Sequence, residues 1–125
     1  MTDKAPDCLT QFHENMAHIR AMNRARALRW HPNGIEEWSV SDWAVALAGE
    51  VGELCNVVKK LNRVRDAIIG NKETEGELRQ ALWDEMADVY LYLDLLAQRC
   101  GVDLPLAIRA KFNAVSVKHG FPERL

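Results

Sequence analysis

Four carboxylates stand where core residues belong. Glu50 and Glu53 lie three apart in DWAVALAGEVGELCNVVKKLNR, residues 42–63, and Glu85 and Asp88 lie three apart in LRQALWDEMADVYLYLDLLAQRC, residues 78–100. At about 100° per residue, Trp43, Leu47, Leu54, Val57, Val58 and Leu61 share one face of the first segment, with Glu50 inside that stripe and Glu53 at its edge. In the second segment Leu78, Leu82, Val89, Leu93 and Leu96 form the stripe, and Glu85, Asp88 and Tyr92 run along its border. An ionised carboxylate against an apolar face is costly unless something pairs with it. Two such helices facing each other would crowd four carboxylates, which requires cations between them. Gly49 and Gly52 flank Glu50, each costing about 1 kcal/mol of helix propensity relative to alanine, so a neighbour or a ligand is expected close to the backbone there. With 18 acidic residues in the chain, about two or three i, i+3 acidic pairs arise by chance. Either pair alone reads as a solvated helix edge; the placement of both in the two most apolar segments points to metal.

The elements that must position these groups are helical. A first helix is expected from about Asp7 to Arg29, with Leu9, Phe12, Met16, Ile19 and Met22 on its apolar face and Arg24, Arg26 and Arg29 toward its end, where the macrodipole favours cations. Arg20 and the other arginines read as solvated surface rather than as a phosphate-facing row. The following WHPNGIEEWSVS is a loop by its Pro-Asn-Gly turn chemistry. Its aromatic residues, Trp30, His31 and Trp38, with Trp43 just inside the next helix, either cover the end of a bundle or form a stacking pocket for a nucleobase. Ser39 followed by Asp42, or Ser41 itself, supplies the N-cap of helix 2. RDAIIGNKETEGE loses the apolar period and reads as a connection with ragged helix at its start; charged connections of this length sometimes act as lids. Helix 3 is expected from about Glu75 to Cys100, stopped by Gly101. Asp103 caps helix 4, which carries Pro105 in its first turn and Leu106, Ile108, Phe112 and Val115 on its packing face. Gly120 and Pro122 end it, and the tail FPERL could fold back over a neighbour. No strand alternation appears, so the expected architecture is an all-α four-helix bundle, one domain over residues 1–125, incomplete as a monomer and therefore oligomeric.

A chain of 125 residues with formal net charge −2 can bury a core without disulfides and has no global attraction for nucleic acid or acidic membranes. No apolar run approaches the length of a membrane span, and MTDKAPDC lacks the apolar core of a signal peptide, so the expected compartment is the cytoplasm. Cys8, Cys55 and Cys100 form no CxxC and read as small buried apolar residues. His13, His18, His31 and His119 form no HxxxH or HExxH pattern, which argues against zinc hydrolysis.

The paired ExxE and ExxD, set in AGEVGEL and DEMADVYLYL, resemble the all-α nucleoside triphosphate pyrophosphohydrolases of the MazG-like superfamily, which includes dCTP pyrophosphatases and dimeric dUTPases. The resemblance runs from about Trp38 to Lys118. It implies a four-helix MazG-like bundle in which Glu50, Glu53, Glu85 and Asp88 bind Mg²⁺, with Mn²⁺ as a substitute. The implied reaction takes a (d)NTP and water to the monophosphate and pyrophosphate, cleaning the nucleotide pool. Hard cations prefer such oxygen donors, and Glu53 is the carboxylate best placed to hold or deprotonate the attacking water. Lys60 and Lys111 are the basic residues expected at the triphosphate, although Asn113 stands only two residues after Lys111, and Ser116 and Lys118 stand where members of KxxxNxxR type carry Asn and Arg. Tyr92 matches an aromatic position that contacts nucleotide in dCTP-type relatives, and core packing is its rival; Asn56 faces the same choice, and Trp30, Trp38 and Trp43 remain candidates for the base. A homodimer or homotetramer is implied. A di-iron carboxylate bundle would need ExxH pairs, which are missing. The reading from a different class is a non-catalytic helical dimerisation module.

Overall fold

The computed structural model describes residues 8–125, and among these it contains four α-helices and no strand: α1 (Cys8–Trp30), α2 (Val40–Arg65), α3 (Glu75–Arg99) and α4 (Leu104–His119), with a short 3₁₀ helix at Gly34–Glu36. The all-α class thus holds. The expected start of α1 at Asp7 lies outside the described residues. The chain forms two compact units, Trp38–Leu96 and a second made of the segment up to Glu37 together with Ala97–Leu125.

In the Trp38–Leu96 unit, α2 begins with a reciprocal capping box. The Ser39 hydroxyl accepts from the Asp42 backbone N–H at 3.1 Å, and the Ser39 backbone N–H donates to Asp42 Oδ2 at 2.9 Å. Of the two candidate caps Ser39, with Asp42 as its reciprocal partner, is therefore the one used, and α2 starts at Val40. A second such exchange starts α3: the Thr74 N–H donates to Glu77 Oε2 at 2.7 Å and the Glu77 N–H to Thr74 Oγ1 at 3.2 Å. Each box satisfies backbone donors that the first turn leaves without intrahelical partners. The buried side chains of this unit are Trp43, Val57, Leu78, Leu95 and, fully buried in the last third of α3, Asp94.

In the other unit Trp30 is the last residue of α1, not part of the loop. The 3₁₀ helix packs against α1 through Gly34, whose φ of +59° is one that residues with a Cβ adopt rarely; a Cβ there would also meet Leu28 Cδ2 at 2.8 Å. Arg20 donates to the Val102 carbonyl, Gln98 to the Arg20 carbonyl, both at 3.0 Å, and Arg99 pairs with Glu36 at 3.4 Å. Asp103 caps α4 as expected, and Gly120 ends it in the left-handed conformation. The tail folds back within its own chain: Asn113 Oδ1 accepts from the Leu125 N–H at 2.9 Å, and the Leu125 carbonyl accepts from Asn113 Nδ2 and Arg109 Nε.

Several burial expectations are corrected. The apolar residues assigned to packing faces on α1 (Leu9, Ile19, Met22) and α4 (Leu106, Ile108, Phe112, Val115) are exposed, as are Val58 on α2 and Leu93 on α3. α1 instead buries Asn23 and Ala27, and α4 buries Pro105 and Ser116. Helical periodicity identifies an apolar face but not whether anything covers it. All three cysteines are exposed, contrary to their reading as buried apolar residues, because each lies on the outward side of its segment in the single chain.

Candidate metal and phosphate site

Glu50 and Glu53 sit one turn apart on α2, and Glu85 projects from α3 of the same unit; one carboxylate oxygen from each of the three lies within 4.8 Å of the others. Glu53 is exposed, whereas Glu50 and Glu85 are half-buried. Glu85 Oε2 is buried and accepts no hydrogen bond. Desolvation is the main cause that pushes the Glu50 and Glu85 carboxyls above the ordinary value, followed for Glu50 by the charges of Glu53, Asp88 and Glu85, and for Glu85 by those of Glu53, Asp88 and Asp84. Asp88 stands outside the trio of convergent oxygens but close enough for its charge to act on both. No lysine or arginine among the described residues forms an ion pair with Glu50, Glu53 or Glu85.

Beside the trio is a cavity of about 480 Å³ lined by Gly49, Gly52, Glu53, Asn56, Val57, Lys60 and Glu85. The two glycines do not receive a neighbouring helix: a Cβ built on either meets no atom within 4 Å apart from chain neighbours and the helix's own backbone. Their bare backbone forms part of the cavity wall. An all-oxygen donor set, a buried carboxylate oxygen without a partner, uncompensated negative charge and open space beside it all suit a hard divalent cation with its waters.

Lys60 lines this cavity but directs its ammonium to Glu73, with which it forms an ion pair. Trp38, Trp43 and Tyr92 gather in the same unit, with ring centroids 4.7 Å apart for Trp38–Trp43 and 6.3 Å for Trp43–Tyr92. Trp43 is 1% exposed and backs the cluster, whereas Trp38 and Tyr92 are partly accessible. Trp38 also lines a shallow pocket with Asp42, Val45 and Ala46. The remaining sequence candidates belong to the other unit: Trp30 is exposed beneath the Arg26 guanidinium, 4.9 Å from its ring centroid, Lys111 is exposed on α4, and the Asn113 amide holds Leu125. That unit also contains a larger cleft, about 610 Å³, lined by residues including His13, Arg20, Arg24 and Asp103, and among the described residues no carboxylate cluster lines it. Sequence reasoning missed Glu73 and Asn71, which fasten the α2–α3 connection to Lys60; both lie in a segment without periodicity, and no sequence signal marks them.

No family model matches the chain. Over 69 residues it is 42% identical to dCTP pyrophosphatase 1 of Rattus norvegicus and to that of Homo sapiens, and 41% identical to that of Mus musculus. The matched stretch is 55% of this chain and 39% of each relative, so the chain spans about two fifths of the length of the curated relatives it matches. The resemblance drawn from the two acidic helices therefore holds over more than half of the chain: it is similar to dCTP pyrophosphatases, consistent with the MazG-like branch.

Proposed function

We propose that this chain is a Mg²⁺-dependent pyrophosphohydrolase that converts a deoxynucleoside triphosphate to its monophosphate and pyrophosphate, with dCTP as the first substrate to test. The observation that carries the reading is the convergence of Glu50, Glu53 and Glu85 without a basic partner beside an open cavity. The likeness to dCTP pyrophosphatases supports the same chemistry. In this role Glu50, Glu53 and Glu85, with Asp88 as a fourth donor, hold the cation. Mg²⁺ bound there, or Mn²⁺ in its place, supplies neutralisation of the triphosphate and makes water more acidic. Glu53, the most exposed of the three convergent carboxylates, orients the attacking water and accepts its proton. Lys60 supplies positive charge to the phosphates, and Trp38, with Tyr92 beside the buried Trp43, offers the base a flat apolar surface. Water adds across the α–β anhydride, so one oxygen goes to the monophosphate and the bridging oxygen leaves with pyrophosphate.

Assembly as a homodimer or homotetramer belongs to the same proposal. It is supported by the exposed apolar residues of α3 (Trp83 at 75%, Met86 at 54%) and α4 (Leu106, Phe112, Val117), a load that solitary domains seldom leave in water. No helix among the described residues is long and apolar enough to cross a membrane, and a house-cleaning role in the nucleotide pool, with the cytoplasm as its compartment, is part of the same proposal. The test is pyrophosphate release from a panel of canonical and modified dNTPs and NTPs, with Mg²⁺ and with chelator, by the wild type and Glu53→Ala. Metal-dependent release that the substitution abolishes is the expected result. Silence from folded, assembled protein overturns the proposal in favour of the non-catalytic helical module.

A further inference from the structure

Lys60 is the only cation among the described residues lining the carboxylate cavity, yet among these residues its ion pair is with a carboxylate outside that lining, Glu73. The same lysine anchors the connection in a second way: Asn71 Nδ2 donates to the Lys60 carbonyl at 2.9 Å. The Ile68 N–H still reaches the Arg63 carbonyl, and Thr74 already caps α3. Between these points, residues 69–73 are fastened to the rest of the unit through Lys60, while Ile69 is 94% exposed and Gly70 takes a φ of +124°. The paired side chains are 27% and 37% exposed, so solvent screens the contact and a stronger anion can displace it.

We propose that Glu73 is a positioning residue that stands in for phosphate: it holds Lys60 beside the cavity until a nucleoside triphosphate takes the ammonium, and this exchange removes one of the two fastenings of the 69–73 segment, leaving it held by Asn71 alone. The inference rests on the proposed pyrophosphohydrolase function. A triphosphate offers several charged oxygens where Glu73 offers one carboxylate, so binding it loosens the segment at the moment the site fills. Residues 69–73 then report occupancy, and the strength of the Lys60–Glu73 pair sets how much substrate is needed.

Two measurements test this. Steady-state pyrophosphate release with Glu73→Gln should show KM lowered about two- to five-fold, the equivalent of removing one partly exposed ion pair as a competitor, with kcat unchanged. In a Lys60→Met background the same substitution should leave KM unaltered. Amide hydrogen exchange of the wild type with Mg²⁺ and the α,β-imido analogue of dCTP should accelerate across residues 69–73, to the rate of ligand-free Glu73→Gln. Active wild type in which Glu73→Gln leaves KM unchanged or raises it overturns the exchange while leaving the enzyme intact, and so does analogue binding that slows or does not alter exchange in 69–73. Wild type that releases no pyrophosphate from any nucleotide overturns the proposed function and this inference with it.

Discussion

Replacing Glu85 by Gln should stabilise the metal-free protein and abolish its response to Mg²⁺. The three convergent oxygens are no more than 4.8 Å apart, and at that distance two unit charges repel by about 0.9 kcal/mol in bulk water and about 3.5 kcal/mol at an effective dielectric of 20. Because Glu53 is exposed and the other two are half-buried, the lower end applies, about 1 kcal/mol per pair. Glu85→Gln removes two of the three repulsions and breaks no hydrogen bond at Oε2, which accepts none. The gain is then about 1–2 kcal/mol, or roughly 3–8 °C in Tm for a domain of this size. The wild type should instead gain about 2.7 kcal/mol when Mg²⁺ is present at a hundred times its Kd. Thermal unfolding in chelator and across a Mg²⁺ titration reads both effects: the variant should melt above the wild type in chelator and below it in saturating Mg²⁺. A variant that melts lower in chelator, or keeps the full Mg²⁺ shift, refutes the assignment of Glu85 to a cation site.

The pH response of the metal-free protein should follow from the same groups. Glu50 and Glu85 have folded pKa values raised above the ordinary 4.5, so their ionisation costs stability as pH rises from 4.5 through the folded values. Asp42, Glu73 and Glu77 are held low by hydrogen bonds from Ser39, Lys60 and Thr74, and the stability they contribute is lost as pH falls below their ordinary values. Thermal midpoints in chelator should therefore peak near pH 4.5, and the decline above it should shrink in Glu85→Gln; a rise from pH 4.5 to 6.5 counts against the desolvated carboxylates. Ser39→Ala removes the α2 capping box and should cost about 1 kcal/mol in urea unfolding without changing the m-value; no loss would mean that Asp42 caps α2 alone. Trp38→Ala should raise the KM for the preferred nucleotide about 5- to 100-fold, as expected for one lost base-stacking surface, and leave kcat within a few-fold. An unchanged KM would confine the tryptophan to packing against Trp43.

The helices and both acidic pairs were legible because helical spacing is local. Three residues separate Glu50 from Glu53 whatever the fold, and the apolar stripes marked which sides of α2 and α3 would approach each other. The same argument could not find Glu73, whose partner lies 13 residues away across an irregular connection, nor the Asn113–Leu125 clasp, which depends on where the tail turns. Burial was the least legible property. Leu106 and Phe112 on α4 fit an inward face by period, yet both stand in solvent in the single chain, while Asn23, Asp94 and Ser116, which composition would leave outside, are buried. Period distinguishes one side of a helix from the other, and only a facing surface decides which side is covered.

The bare backbone at Gly49 and Gly52 carries a consequence for how this protein can be improved. An alanine at either position would meet no neighbouring side chain or second element and would add about 1 kcal/mol of helix propensity, so both substitutions belong among the easiest stabilising changes in α2. Both would also place a methyl group on the wall of the carboxylate cavity. Selection for heat resistance alone should therefore favour alanine there and yield a sturdier helix with less room for ligand, whereas selection that includes turnover should restore glycine. At these two positions robustness and activity pull in opposite directions.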